Sequence, residues 1–589
     1  MPAGPDSAAR ASIDSVRGVP DSLATPPVRR DSIQPPIVRS ELPDGVVIGP
    51  DYRWRGDSVL ATGALTLLDL LERVPGLTGF RSGYVASAQT AAYLGDFRRV
   101  RVFRDGVELD PVDPRNGGIL DLADVPIWQA EELAIEPTAG EVRVHIRTRA
   151  PRNRTPQTRV DVLTGDDETT YYRAFYGKRF GNGALLQING EQLGTGSRNQ
   201  RIGGGGESTN ALVRLGWAGR GLSADVMFTR LSRRRNETLD FNTQATVLGN
   251  FIGRRDEGYL RLGYGDPEQG VWAQALANAV AFRLDSPVRD ASDTSSVLPD
   301  TANYRTQYVL AGGFTQWGVR LSATNRLRVF DGRTDNAPAL RAAFDRPWLS
   351  LAAYAERSGV DSLRRADVTA RVAPLRWLAF VGAVSRAENV AAGRGAQTVA
   401  RAEGAVRVRD AWLSAGRVER GGGTFAPPRV YEVAGALPAA STEPRVGGTI
   451  AAFRGRFYRD LHADVHATVW DSAGPFRPRY QARTELRLLT NWLRRFPTRE
   501  FGANIAVYNE YRSEMTAPFV TAVEGGTADT VVLRAGPSNQ LGALVELRLQ
   551  SAVISFQVRN ALGRQFEYVP GLTAPRALTL YGVRWEFSN

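Results

Sequence analysis

Beyond Pro151 the chain carries no helical periodicity for more than 400 residues; apolar and polar residues instead alternate in blocks of roughly ten. A period of two sends successive side chains to opposite faces of a strand, so this stretch can build only sheet with two chemically different faces. Ala211, Val213, Leu215 and Trp217 alternate with Arg214 and Gly216. After Gly219-Arg220-Gly221 the pattern resumes in Leu222, Ala224, Val226 and Phe228. Tyr172, Ala174, Tyr176 and Phe180 run into Gly181-Asn182-Gly183, which suits a tight hairpin, and Ala184, Leu186 and Ile188 follow. Near the C-terminus Leu541, Ala543, Val545, Leu547 and Leu549 repeat it, as do Ala552, Ile554, Phe556 and Val558. About twenty such blocks, two more or fewer, are delimited.

Two architectures accept this pattern: a soluble sandwich or propeller, and a membrane barrel. The mean hydropathy of −0.27 is that of a soluble protein. No run of 18 apolar residues is present, which excludes a transmembrane helix but not a barrel, whose strands are apolar only at alternate positions. Tight turns alternate with long polar connections, read here as 231–257 and 283–303, as in a barrel whose two ends face different compartments. Aromatics near strand ends (Trp217, Phe228, Trp348, Trp412) suit interfacial girdles. The inward positions carry many charges, which a packed sandwich core could not hold unpaired. No repeat of 40–50 residues supports a propeller.

The N-terminal part differs. Residues 1–58, rich in Pro, Ser, Asp and Arg, read as a disordered or extended linker, with Pro35-Pro36 and Pro43 opposing helix. The start, MPAGPDSAAR, lacks the n- and h-regions of a secretory signal. Over 59–150 a small α+β unit is expected. Thr66 and Asp69 form a T-x-x-D capping box, with Leu65 and Leu70 at the staple positions. Leu67, Leu68, Leu71 and Val74 make a one-faced stripe that ends at Pro75-Gly76. Short strands follow around Arg99–Phe103, before the turn Asp105-Gly106, then Leu133–Glu136 and Val142–Arg147. The region 151–589 is the barrel.

The last residues, VRNALGRQFEYVPGLTAPRALTLYGVRWEFSN, resemble the C-terminus of TonB-dependent outer-membrane receptors, through Asn560, Leu562, Phe566, Glu567, Tyr568, Gly571 and Pro575. LLDLLERVPGLTGF with Pro75-Gly76, VRVFRDGVELD with Asp105-Gly106, and GGILDLADVPIWQAEELAIEP resemble that family's plug. The resemblance implies a mainly β protein, a transmembrane antiparallel barrel of about 22 strands with a small α+β plug in its lumen. It also implies an outer-membrane location, a small-molecule ligand, a periplasmic TonB-type energy-coupling partner, and contact with outer-membrane lipid and lipopolysaccharide. The closing aromatics Tyr581, Trp585 and Phe587 resemble the signal read by the barrel-assembly machinery, with the odd residues of that strand toward lipid and the even ones toward the lumen. Two departures stand out: Thr138-Ala139-Gly140 passes almost directly into Glu141-Val142-Arg143, so the plug is shortened, and Asp44-Gly45-Val46-Val47-Ile48 is the best candidate for a coupling box. It is not a convincing box, and the segment reads more readily as an ordinary strand leading into the plug.

Candidate chemistry is sparse. His462, Asp464 and His466 share one face of a strand and could supply metal ligands, or be solvated lumen residues. His145 alternates with arginines and is a polar-face residue. Arg233, Arg234, Arg235, Arg254 and Arg255 could meet an anionic ligand or a lipopolysaccharide phosphate, or be a solvated loop. Gly203–Gly206 lacks the Lys and helix of a phosphate loop and reads as a loop tip. The net charge is +12 with one lysine, Lys178, and the scattered arginines do not form a nucleic-acid footprint. There is no cysteine, hence no disulfide or thiolate site. No Ser/His/Asp order or convergent carboxylate pair asks for an enzyme, and no cofactor is implied. Two function classes remain: a ligand-gated importer, and a plugged barrel that binds at the surface without import.

Overall fold

The computed structural model describes all residues except 1–38, 44, 84, 114–117, 197–204, 237, 240–245, 249–250, 286–300, 331, 360–362, 390–393, 432–435, 492–500, 523–527, 575–576 and 589. The readings for Pro35-Pro36, Asp44, Gly203 and Pro575 lie outside the described residues.

Twenty-two antiparallel strands close into one barrel, from Gln157–Gly165 round to Leu578–Ser588. The closing ladder pairs Leu580 with Gly165 through to Ser588 with Gln157. Alternation sets the faces as expected: Val213, Leu215, Val226, Phe228, Leu260, Leu262 and Leu310 are exposed on the outer wall. Arg214, Gln187, Asp225 and Arg261 on the same or neighbouring strands are buried inside. On the last strand Tyr581, Val583 and Trp585 face out while Leu580 and Arg584 face in. An apolar outer wall around a charged interior is the inverse of a soluble protein, and it is stable only in lipid. The barrel therefore spans a membrane. Tight turns gather at the end where the barrel's own termini lie, and the longer connections at the other; by the usual asymmetry these are the periplasmic and external ends.

Exposed Trp217, Tyr264, Trp317, Trp348, Trp377 and Tyr458 ring the periplasmic end. Two of the sequence expectations need correction here. Phe228 lies mid-strand, and Trp412 packs inward against Ile48. The connections read as 231–257 and 283–303 are also shorter than expected. Ladder pairing carries Leu222–Arg235 and Phe251–Asp266 well into the first, and Gln269–Asp285 and Thr301–Gln316 into the second. The polar residues there were misread as loop because strands that rise above the lipid lose their apolar face. Gly206, taken as a loop tip, begins the strand Gly206–Gly219.

Inside sits the plug. Asp69 accepts from the backbone N–H of Leu65 (2.8 Å) and Thr66 (3.1 Å), fixing the start of the short helix Leu67–Leu71. Leu70 joins the plug core, but Leu65 packs toward Leu163 and Phe566 of the barrel, so the staple is not made. Pro75-Gly76 turns the chain into Leu77–Arg81, with Gly76 at φ +81°. The plug sheet runs Arg53–Arg55, Ala130–Pro137, Val142–Thr148, Val100–Arg104, Val107–Glu108, its central pair parallel. Thr138 to Glu141 form the tight turn inside it, with Thr138 N–H donating to Glu141 O at 2.9 Å.

At the barrel seam, a Cβ on Gly582 would sit 2.2 Å from the carbonyl oxygen of Val162 on the first strand. Gly582→Val is therefore expected to reduce the fraction of protein that migrates as the compact, heat-sensitive form on an unboiled detergent gel. Migration identical to that of the parent would show that the seam tolerates the side chain.

Candidate functional site: the plugged lumen

The plug meets the barrel wall through two kinds of surface. Leu67, Leu71, Val142 and Val144 share one apolar cluster with Val399, Val418, Ile450 and Trp470 of the wall. Elsewhere the plug's acids and arginines find opposite charges on lumen-facing strand positions. Asp69 accepts from Arg559 at 2.7 and 3.0 Å, and Glu72 from Arg512 at 2.9 Å. Arg73 reaches Glu485 at 2.9 Å, Arg101 reaches Glu356 at 2.7 Å, and Arg104 lies 2.6 Å from Glu257. Glu136 takes a bidentate fork from Arg341 at 2.8 and 2.6 Å, and Arg143 pairs with Asp367.

The turn Asp105-Gly106 forms as expected, with φ of +50° and +89°. Its larger role was not visible in the sequence. The Asp105 carboxylate is buried, accepting from Thr148 N–H (3.0 Å) and from Arg214 Nη2 of the wall (2.7 Å), with the Tyr259 hydroxyl at 3.3 Å. A turn residue has become an anchor. Only spatial proximity of Arg214, 109 positions away, reveals it.

At the external mouth, described barrel connections pack on the plug apex. Phe80 and Phe97 of the plug pack edge-on against Phe476 of a barrel connection at centroid distances of 6.0 and 5.8 Å, and Phe519 adds to the cluster at 6.3 Å from Phe476. The Tyr431 hydroxyl donates to Phe80 O at 2.7 Å, with Thr90 Oγ1 at 3.0 Å. Tyr568 of the C-terminal connection lies between two guanidinium groups, Arg81 of the plug at 5.1 Å and Arg512 of the wall at 4.9 Å. Phe566, beside it, packs edge-on at 4.8 Å. Phe566 and Tyr568 are legible in the sequence only as part of a C-terminal pattern, and the other barrel aromatics carry no signal there; their packing on the plug needed the tertiary structure.

The arginine pairs split by strand parity. Arg233, Arg235 and Arg255 are buried in the lumen: Arg233 pairs with Asp124 at 2.5 Å, Arg235 with Asp121, and Arg255 Nη1 donates to Asp110 O at 3.4 Å. They hold plug loops and are not solvated. Arg234 and Arg254 point outward. His462, Asp464 and His466 all fall on lumenal positions, but the structure gives each its own neighbours. Asp464 lies 3.4 Å from Arg454 Nε and His466 Nε2 is 3.2 Å from the Glu72 carbonyl. Among the described residues no group of three His, Asp or Glu side chains is placed to hold a metal. His145 stacks on Phe103 at 5.0 Å and faces the wall rather than water, beside a cavity of about 80 Å³ lined also by Arg143, Arg341, Tyr354 and Ser40.

Burial alone would raise the plug carboxyls, and it does raise Glu72 and Asp124, but at three others the arginines outweigh it. Arg559 and Arg81 hold Asp69 far below the usual carboxylate range, Arg214 and Arg261 lower Asp105, and Arg341 and Arg143 lower Glu136. A depressed carboxyl contributes stability that is fully present above its unfolded pKa and lost only as pH falls through the folded value. Bilayer conductance of the purified protein is therefore expected to stay closed as pH falls to about 4, the ordinary carboxylate value, and to open only below it. Arg559→Gln, which leaves Asp69 with Arg81 alone, should open at a higher pH than the parent. Parent and variant opening at the same pH would remove this pair from plug retention.

No family model and no curated protein matches the chain. Solved structures do. The siderophore receptor PirA from Acinetobacter baumannii superposes with TM-score 0.64 at 10% identity, over 91% of this chain and 98% of that one. The FrpB iron transporter from Neisseria meningitidis (F5-1 variant) gives 0.65 at 12% identity, over 91% and 99%. The ferric enterobactin receptor PfeA from Pseudomonas aeruginosa, a Q482A mutant in complex with enterobactin, gives 0.63 at 11%, over 91% and 99%. At such identities the likeness concerns the fold. That fold, a 22-strand barrel with an N-terminal plug in its lumen, is the one expected of a TonB-dependent outer-membrane receptor.

Proposed function

We propose that this protein is an outer-membrane receptor that imports a scarce small solute by displacing its plug, driven by a periplasmic TonB-type coupling protein. It is not an enzyme in this reading. The observation that carries it is the way the lumen is filled: a wide barrel occupied by a separate domain whose contacts with the wall include many ion pairs. Water and mobile ions can replace such pairs, so a plug held by them can be displaced and returned. Iron chelates lead the ligand classes because the structures of like fold include iron and siderophore receptors; cobalamin and glycans are the other classes. The test is uptake of labelled ferric enterobactin, other ferric chelates, cobalamin and oligosaccharides by a deletion strain and its complemented parent, with and without a protonmotive-force uncoupler. Uptake of at least one solute is expected to be lost on deletion and on uncoupling. Unchanged uptake of every solute would sink the import reading.

One observation favours the second reading, a plugged surface-binding barrel without import. The stretch containing Gly45 to Ile48 is tied to both plug and barrel: Arg147 Nε of the plug donates to Ser40 O at 2.8 Å, Gln274 of the wall to Arg39 O at 2.6 Å, and Ile48 is buried against Val381 and Ala405. It is not presented as a free strand for a coupling partner. Binding of a chelate that survives the uncoupler while uptake is absent would select this reading.

Tyr581, Trp585 and Phe587 are proposed as the assembly signal; Trp585 and Phe587 lie ring to ring at 4.5 Å on the outer face. Phe587→Ala is expected to lower the membrane-inserted fraction severalfold, measured by outer-membrane fractionation, while inserted molecules keep parental ligand binding. Equal insertion would rule the signal out.

A further inference from the structure

The outward arginines of the external rim are arranged in a way that the lumen does not explain. On three adjacent strands, Leu222–Arg235, Phe251–Asp266 and Gln269–Asp285, the outward positions above the apolar wall include Arg230, Arg234, Arg254 and Arg283, interspersed with Ser232, Ile252 and Asp256. Arg254 and Arg283 are direct cross-strand partners. Like charges facing each other across a ladder destabilise it unless an anion lies between them. Among the described side chains the nearby acids are fewer: Asp256, which takes both Arg230 and Arg254 at 2.7 Å, and Glu207, opposite Arg234 in the register. Among the described residues Arg283 has no carboxylate partner. The same facing recurs at the external rim where Arg357 is paired with Arg364.

Below Arg283 the outward positions of its strand are all small, Ala281, Ala279, Ala277, Ala275 and Ala273, with Gly258 beside Ala279 in the register. Exposed Phe228, Leu260 and Leu262 stand on one side of this floor, and Tyr304, Tyr308 and Leu310 on the other. The floor is thus a shallow trough down the outer wall. It broadens toward the periplasmic half into a concavity of about 1000 Å³ lined by Leu262, Ala273, Ala275, Leu310 and Leu340. A cationic head above an apolar trough matches one kind of partner, an acyl lipid with a phosphorylated headgroup. Guanidinium groups bind phosphate by forked hydrogen bonds, and the trough receives a chain.

We propose that the external rim around Arg254 and Arg283 is a docking site for a phosphorylated glycolipid of the outer leaflet, its phosphate between the two arginines and an acyl chain on the alanine floor. This does not depend on import: the lipid would bind whether or not the lumen transports anything.

The full-length protein in non-ionic detergent, exposed to bisphosphorylated hexa-acyl lipid A and measured by native mass spectrometry, tests it. The parent is expected to retain the lipid, and Arg254→Gln/Arg283→Gln to retain at least tenfold less, with heat-modifiable gel migration unchanged as proof of folding. Arg254→Lys/Arg283→Lys should recover most of the binding, and lipid A stripped of its phosphates should bind the parent as weakly as the double Gln variant binds intact lipid. Equal retention by the Gln variant, or equal binding of the stripped lipid, would overturn the proposal. So would an equal loss in Arg456→Gln at the periplasmic rim, which would mean general charge attraction. Full displacement by equimolar inorganic phosphate would make it a free-phosphate site and overturn the lipid assignment.

Discussion

The charge pairing between plug and lumen is the constraint on which the rest of this structure depends. A barrel of 22 strands is too wide for its own side chains to fill, and its inward positions carry a dense set of arginines and carboxylates. Left alone, such a lumen would be a water-filled pore. The plug converts it into a closed body by presenting Asp69, Glu72, Asp105 and Glu136 to wall arginines, and Arg101, Arg104 and Arg143 to wall acids. Removing one member of a buried pair costs about 3–5 kcal/mol, whereas the intact pair contributes little net stability. The pairs therefore fix where the plug sits more than how firmly the protein holds together. That division would suit a domain that is seated in one position and displaced in the proposed import.

The apolar contacts are distributed differently. One flank of the plug shares its core with wall residues Val399, Val418, Ile450 and Trp470, and its apex is roofed by Phe476, Phe519 and Tyr431. The opposite flank, against the strands carrying Arg214, Glu257 and Arg341, is the more polar one: it combines these ion pairs with two smaller apolar contacts, Val107 against Leu212, Met227 and Tyr259, and Val112 against Val280 and Phe282. The small cavity beside His145 lies on that polar flank.

Parity explains both the accurate and the mistaken parts of the sequence reading. The last strand's two faces, the outer wall and the hairpin turns follow from alternation, because each strand's environment is binary. The same rule, applied to Arg233 to Arg235, would have split them into two lumenal residues and one outward residue; reading them as loop hid that. Above the lipid a strand has polar residues on both faces, so the periodic signal stops before the ladder does. Phe228 and Trp412 were misplaced for a related reason, since an aromatic's height and face depend on register, which no single strand contains.

Taken by itself, the sequence determined the barrel, its approximate size, the existence of a small α+β domain before it, and the local turns at Pro75-Gly76 and Asp105-Gly106. These are consequences of periodicity and of backbone preferences within a few residues. Only the tertiary structure decided that Asp105 anchors the plug, that Arg559 meets Asp69, that Tyr568 is held between Arg81 and Arg512, and that Arg254 faces Arg283. Each of these partnerships joins positions from tens to hundreds of residues apart. Charge identity in a sequence carries no record of its partner, and closing the barrel around the plug is what brings the two together.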